Sequence, residues 1–211
     1  EPVQGEGGII IPPEGTLTKL REICTRHNVL MLLDEIQSGL GRTGRMFAYQ
    51  HEEGVRPDGL ILGKALSGGM YPVSAFVADK PVMDVFQPGS HGSTYGGNPL
   101  GAAVAREALR VLEEEGLAER SAHLGRRFKD GLTSLEALSI KELRQIGLWL
   151  GIELHPSAGG ARRYCEELQL AGMLCKETHQ HTIRIAPPLV MSEQEADWAI
   201  DKLLTVFSRL G

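Results

Sequence analysis

The amino-acid sequence predicts an α/β protein, because strand-like and helix-like patterns alternate along its 211 residues. Short apolar runs that end in charged residues, such as "NVLMLLDE", are typical of strands buried in a parallel sheet. Residues 16–27 instead repeat apolar side chains at helical spacing. After Leu100 the sequence becomes rich in Ala and Leu. We therefore expect a sheet-containing part over residues 1–105 and a smaller unit of strands covered by helices over residues 106–211.

The individual elements follow from the same patterns. Within the first part we expect, in chain order, a helix over 16–27, a buried strand over 28–35, strands at 60–62 and 73–77, a short helix over 80–86 and a polar loop over 87–99. In the second part we expect a helix from Leu100 that ends before Gly116, a helix over 117–138, two strands around Gly147, a helical segment over 159–174, a strand that opens 181–189, and a closing helix. Ser192, followed three residues later by Glu195, has the pattern of a capping box for that last helix.

Composition and charge exclude several classes of protein. The net charge of −5 argues against a nucleic-acid partner, since such proteins usually carry a basic face. No apolar run approaches the length of a membrane span, so no membrane association is expected. The three cysteines form neither a disulfide framework nor a metal spacing, which favours free thiols in a reducing compartment. We expect the cytoplasm, or the mitochondrial matrix if a targeting segment was lost.

Two charged residues follow buried strands of the expected parallel sheet. Asp34 ends the run of leucines, and Lys64 ends the next apolar run, "GLILGK". Taken singly, Asp34 could be a loop or helix-capping acid, and Lys64 a solvated charge. Together, a carboxylate and an amine at the same end of neighbouring strands match what a pyridoxal phosphate site requires. The acid would keep the cofactor's ring nitrogen protonated, and the free amine would move a substrate proton.

Four stretches in sequence order resemble class III (subgroup II) aminotransferases that depend on pyridoxal 5'-phosphate. They are "EPVQGEGG" (1–8), "DEIQSGLGRTG" (34–44), "LGKALSGG" (62–69) and "HGSTYGGNPLG" (91–101). The resemblance implies the fold type I of these transferases, with a mainly parallel sheet in the large domain and a small C-terminal α+β domain. Within the class, "YPVSA" and "IRIAPPL" look most like the ornithine aminotransferase branch.

The resemblance also implies roles for cofactor-binding residues. Lys64 matches the lysine that forms the Schiff base with the cofactor, and Asp34 matches the partner of its ring nitrogen. Gln37 matches the residue that hydrogen-bonds the cofactor's phenolic oxygen. Thr94 matches a threonine that reaches the cofactor phosphate of the other subunit, which implies a homodimer, although by itself it could be an ordinary loop residue.

Substrate-binding roles follow from two further matches. Arg184 matches the arginine that grips a substrate α-carboxylate, and a planar guanidinium suits that task because it binds carboxylate in a bidentate manner. Glu6 matches the glutamate that pairs with this arginine while an ω-amine reacts. The implied substrates are an amino acid and a 2-oxo acid, chiefly ornithine and 2-oxoglutarate. Acetylornithine or another ω-amino acid remains an alternative, because Glu6 marks ω-amine chemistry in general.

The resemblance leads us to expect that this sequence is the C-terminal half of such an enzyme. The family's N-terminal sheet strands and phosphate loop have no match here, so activity would need a separate N-terminal half. A non-catalytic fragment that acts as a dimerisation module is the alternative from another class. We expect no metal site, because His179 and His181 lack a third ligand at a suitable spacing. The segment Gly41–Gly44 is expected to be a turn that shapes the site.

Overall fold

The computed structural model describes residues 1–137 and 140–210 of the chain. Its helices are α1 (Thr16–Arg26), α2 (Lys80–Met83), α3 (Pro99–Glu114), α4 (Leu117–Gly131), α5 (Ala161–Leu170) and α6 (Glu193–Leu210). Its strands are β1 (Leu32–Asp34), β2 (Gly59–Leu62), β3 (Ala75–Ala78), β4 (Ile140–Gln145), β5 (Leu150–Leu154), β6 (Lys176–Thr178) and β7 (Thr182–Ile185). The strands form two separate sheets, in agreement with the α/β class expected from the sequence.

The three-stranded sheet has the order β1-β2-β3 and is only partly parallel. β1 and β2 run parallel, as expected from the sequence. β3 runs antiparallel to β2, which departs from the mainly parallel sheet expected from the sequence. The connection from β2 to β3 spans about a dozen residues and contains no long helix, and therefore lets the chain return alongside β2 in the opposite direction.

The four-stranded sheet has the order β4-β5-β7-β6, and all its neighbouring strands are antiparallel. Along each strand, side chains alternate between two faces. One face is apolar and packs against α4, α5 and α6 in a core that includes Phe128, Ile152, Ile183, Leu203 and Phe207. The other face carries charged residues and contacts the first ten residues of the chain.

Several element boundaries differ from the sequence prediction. β1 covers three residues rather than 28–35, and Asn28, with a left-handed backbone of φ 53, belongs to the turn after α1. The helix expected over 117–138 ends at Gly131 and is followed by a 3-10 segment over Thr133–Ala137, and Leu138 lies outside the described residues. The three-residue strand β6 was not predicted.

Helix ends follow the sequence signals closely. The Ser192 amide donates to Glu195 Oε2 at 2.8 Å, and the Glu195 amide donates to Ser192 Oγ at 3.2 Å, which confirms the capping box of α6. Gly116 adopts the left-handed conformation expected just beyond the end of α3. Over the ranges that the structure covers, no helix is both long enough and apolar enough to cross a membrane.

A tight junction around Arg42 joins the two sheets. The Arg42 guanidinium donates to the carbonyls of Leu148 and Pro187 at 2.8 and 2.7 Å, and burial lowers its pKa to about 10. The Arg42 carbonyl in turn accepts from Ser121 Oγ on α4 at 2.9 Å. Gly125 on α4 lies so close to Gly147 that an added Cβ would come within 1.9 Å of the Gly147 carbonyl oxygen. The backbones of the loop, the helix and the hairpin turn are therefore in direct contact.

Candidate active site

Asp34 and Lys64 lie at the same edge of the three-stranded sheet. Asp34 is the last residue of β1, and Lys64 follows the end of β2 after Gly63. Since β1 and β2 are parallel, with Asp34 in register with Ile61, their carboxyl ends meet at one edge. The half-buried Asp34 carboxylate accepts a hydrogen bond from the Ile36 amide at 2.9 Å, which orients it at the start of the following turn.

Lys64 has an unusual backbone conformation. Its φ of 43 lies in the left-handed region, which costs free energy for a residue with a Cβ atom. Such outliers persist where the surrounding structure enforces them, and they concentrate at functional sites. Lys64 is the first residue of a one-turn 3-10 helix that runs to Ser67, and it is exposed. The sequence predicted a lysine at a strand end but gave no indication of this strain.

Two adjoining cavities connect the edge that holds Lys64 to the four-stranded sheet. The first has a volume of about 490 Å³ and is lined by Lys64, Gln37 and Arg42 among others. The second, also of about 490 Å³, is lined by Arg184 and Lys176 among others. Their shared wall residues are Gln37, Trp149, Ala186 and Pro188. The fold thus brings two predicted site residues that are 120 positions apart in sequence, Lys64 and Arg184, to neighbouring cavities.

Arg184 and Glu6 form an ion pair at the second cavity. Arg184 Nη1 lies 2.6 Å from Glu6 Oε1, and Gln37 Nε2 approaches the same oxygen at 3.4 Å. The hydrogen bond from Arg184, with a smaller contribution from Gln37, lowers the pKa of Glu6. The Arg184 side chain is only 13% exposed, whereas that of Glu6 is 62% exposed. A largely buried cation and an exposed anion therefore meet here.

The turn that carries Glu6 is fixed through its backbone. Thr178 Oγ1 on β6 donates to the Glu6 carbonyl at 2.5 Å, and Arg144 Nε on β4 donates to the Gly8 carbonyl at 3.0 Å. An added Cβ at Gly151 on β5 would lie 2.5 Å from that same Gly8 oxygen, so the turn rests directly on the sheet. Sequence reasoning did not identify Thr178 or Arg144, because their role depends on a contact between distant segments.

The polar face of the four-stranded sheet carries a row of cations. The strand register places Arg144, Gly151, Arg184 and Lys176 side by side across β4, β5, β7 and β6. Arg144 Nη1 pairs at 2.5 Å with both Glu142 and Glu153, while Arg184 pairs with Glu6. Within the described ranges, Lys176 has neither an ion pair nor a side-chain hydrogen bond.

Glu35, next to Asp34, is a buried carboxylic acid that the sequence analysis did not single out. It accepts hydrogen bonds from Ser38 Oγ at 2.6 Å and from the amides of Ala48 and Tyr49 at 3.0 and 2.9 Å. Desolvation by burial raises its pKa in spite of these bonds. Glu35 therefore holds the loop after β1 in place. The only sequence signal for Glu35 was a second acidic residue directly after Asp34.

Thr94 is the one predicted site residue that does not join this cluster. It lies in the exposed loop before α3, lines neither cavity, and has no side-chain hydrogen bond to any described residue. Its assignment to a neighbouring subunit's cofactor stays a prediction.

Comparison with known proteins agrees with the fold. The family model "Aminotransferase class-III" matches residues 1–207, and the chain belongs to this family. It is 55% identical to an ornithine aminotransferase of Brevibacillus brevis over 206 residues, which are 98% of this chain and 51% of the relative. The chain thus spans about half the length of the curated relatives it matches.

Solved structures of family members superpose on nearly the whole chain. The ornithine aminotransferase of Toxoplasma gondii ME49 matches with a TM-score of 0.95 and 44% identity, over 99% of this chain and 50% of that one. An acetylornithine aminotransferase of Elizabethkingia anophelis matches with a TM-score of 0.93 and 45% identity, over 99% and 55% of the two chains. These matches establish the aminotransferase fold for this chain.

Proposed function

We propose that this chain takes part in transamination of an ω-amino group, with ornithine and 2-oxoglutarate converted to glutamate semialdehyde and glutamate. Membership of the class III family supports aminotransfer, and the similarity to ornithine aminotransferases favours ornithine. The observation that carries the proposal is the Glu6–Arg184 ion pair at 2.6 Å beside the cavity that Lys64 lines. An arginine masked by a glutamate suits an enzyme that must accept both an amine-ended and a carboxylate-ended substrate.

Pyridoxal 5'-phosphate fits the residues at the edge of the three-stranded sheet. A strand-end carboxylate, an exposed lysine held in a strained conformation, and a cavity of about 490 Å³ beside it are the features such a group requires. Asp34, Gln37 and Lys64 would hold it, together with Thr94 from a second copy in a homodimer. When bound, it supplies an electron sink for the pair of electrons released as a substrate C–H bond breaks.

In this proposal, each of the predicted site residues has a specific task. The Asp34 carboxylate would retain a proton on the facing ring nitrogen, because an adjacent negative charge favours the protonated form. Lys64 Nζ, as a free amine, would remove the proton from the substrate carbon that carries the reacting amino group. In the second half of the reaction it would protonate the carbon of the 2-oxo acid that receives the amino group. The arginine and glutamate of the second cavity would take no part in proton transfer.

Glu6 and Arg184 would select the orientation of the substrate. With Glu6 on Arg184, the guanidinium is masked, so that the terminal amine of ornithine can enter the site first. When the Glu6 side chain turns away from Arg184, the guanidinium is exposed and can bind the α-carboxylate of 2-oxoglutarate in a bidentate manner. The high exposure of Glu6 permits this change without backbone movement.

We also propose that the functional division of the chain follows the two sheets. Residues 1–105 would belong to the cofactor-binding domain and residues 106–211 to the small domain. The contacts of the first ten residues with the four-stranded sheet join the two, and they support a site formed at this boundary.

The proposal is tested by amino-donor preference. The cofactor-loaded protein, complemented with the separate N-terminal half that the family resemblance implies, is assayed with 2-oxoglutarate and either ornithine or N-acetylornithine. We expect kcat/KM for ornithine to be larger by about 10-fold or more, in the range that one well-placed polar contact provides. A preference for N-acetylornithine would favour the second candidate, which the similarity to an acetylornithine aminotransferase supports. No transfer from either donor would favour the non-catalytic alternative.

A further inference from the structure

Lys176 is the one member of the cation row that lacks a counter-ion in the described part of the chain. It lies directly opposite Arg184 in the antiparallel pairing of β6 and β7, so both side chains leave the same face of the sheet. Residues paired in this way have Cβ atoms about 4.5–5.5 Å apart. Both residues also line the second cavity.

Like charges at directly opposed positions destabilise a sheet unless an anion lies between them. Glu6 is that anion, since it binds Arg184 at 2.6 Å and also interacts with Lys176 through longer-range attraction. One carboxylate therefore serves two cations in this structure. A second carboxylate, if a substrate brings one to Arg184, would give each cation its own partner.

The backbone of the Glu6 turn does not need to move for this exchange. Its carbonyl is held by Thr178, which lies on the same strand and the same face as Lys176. The Gly8 carbonyl is held by Arg144 at the other end of the row. The Glu6 side chain, by contrast, is largely exposed, and Lys176 is the cation next to Arg184 in the strand register.

We propose that Lys176 is the second partner of Glu6: it receives the Glu6 carboxylate when the carboxylate of a 2-oxo acid takes Arg184. This inference rests on the proposed function, because it assigns Lys176 to the exchange between the two substrates. Lys176 is then a positioning residue that acts through Glu6. It stabilises the state in which the arginine is unmasked, and so it strengthens the binding of the carboxylate substrate.

A double-mutant cycle on carboxylate binding tests the inference without turnover. Glutarate is titrated into the cofactor-loaded protein by calorimetry, with butanoate as a probe that lacks the second carboxylate. Lys176→Met is expected to weaken the binding of both probes about fivefold, as befits one partly exposed ion pair. Lys176→Arg keeps the charge and should retain near-normal affinity. Lys129→Met, which removes an exposed lysine on α4 that lines neither cavity, is the matched control.

The Glu6→Gln background decides how Lys176 acts. Glutamine carries no charge that must leave Arg184, so adding Lys176→Met to Glu6→Gln is expected to change affinity by less than about twofold. An equal loss in both backgrounds would show that Lys176 binds the probe directly and would overturn the inference. No loss in either background, or no binding of glutarate to the unmodified protein, would overturn it as well. Failure of the proposed function would appear separately, as absent amino transfer from ornithine while the binding cycle still shows coupling.

Discussion

The two sheets of this chain differ in how completely their apolar side chains are buried. In the four-stranded sheet, Ile152 and Ile183 are 0% exposed beneath three helices. In the three-stranded sheet, Leu32 and Val77 are 47% and 50% exposed. The sheet with the closed core holds Arg184 and anchors Glu6, whereas the sheet with exposed apolar residues ends in Asp34 and Lys64. Within this chain, therefore, the residues of the closed core and the residues proposed to transfer a proton lie in different sheets.

The strongest test of this separation is Lys64→Ala. If Lys64 Nζ moves the substrate proton, its removal should lower the rate of amino transfer by about 100-fold to 10,000-fold. The unfolding midpoint in urea should change little, because Lys64 is exposed and alanine, which also has a Cβ atom, should meet about the same backbone strain. Steady-state kinetics and urea unfolding, measured on the same preparation, check both parts.

A matched control for that variant is Lys19→Ala, which removes an exposed lysine from α1. It should leave the rate of transfer within about twofold, as expected for a surface position away from the site. Amino transfer that survives Lys64→Ala would contradict the assignment of Lys64.

The burial difference itself is tested by truncating one residue in each sheet. Ile152→Ala on β5 should lower the free energy of unfolding by about 2–5 kcal/mol, since it leaves a cavity in a fully packed core. Leu32→Ala on β1 should cost less than about 1 kcal/mol, because nearly half of that side chain is exposed. Urea unfolding of the two variants gives the comparison directly. An equal cost would mean that the Leu32 surface is covered by a further contact in solution.

The charged face of the four-stranded sheet makes a smaller contribution that depends on pH. Hydrogen bonds from Lys141 and then Arg144 lower the pKa of Glu153. A carboxyl group with a lowered pKa stabilises the fold above its ordinary pKa of about 4.3, and this contribution is lost as pH falls through the lowered value. Glu153→Gln should therefore reduce the free energy of unfolding at neutral pH by about 1 kcal/mol or less, because solvent screens the ion pairs of a partly exposed carboxylate.

The same variant should lose its disadvantage in acid. At pH values below the lowered pKa, where Glu153 would be protonated in both the folded and the unfolded protein, the two proteins should unfold at similar urea concentrations. The measurement is a series of urea unfolding curves between neutral and acidic pH. A difference that stays constant across the series would indicate a loss of packing rather than of charge.

The sequence predicted much of this arrangement where the signal was local. The capping box at Ser192, the helix end at Gly116 and the hairpin around Gly147 all depend on short patterns. The strand ends at Asp34 and Lys64 were also found, because an apolar run followed by a charged residue is a local feature.

What the sequence did not predict depends on contacts between distant segments. The antiparallel direction of β3 is set by pairing with β2, and no local pattern specifies it. Strand β6 has three residues and too few alternations to be recognised. The cation row is invisible in sequence, since Arg144 and Lys176 become neighbours of Arg184 only through the strand register.

The junction around Arg42 has a consequence for the speed of substrate exchange. Backbone atoms of the loop, α4 and the hairpin turn are in direct contact there, and the buried guanidinium bonds both segments of the four-stranded sheet. We expect such close contact to restrict the relative motion of the two sheets at this junction. The exchange between the masked and unmasked arginine would then be a rotamer change of one exposed side chain, which takes picoseconds to nanoseconds, rather than a domain motion of microseconds to milliseconds. Reorientation of Glu6 would accordingly be too fast to limit turnover.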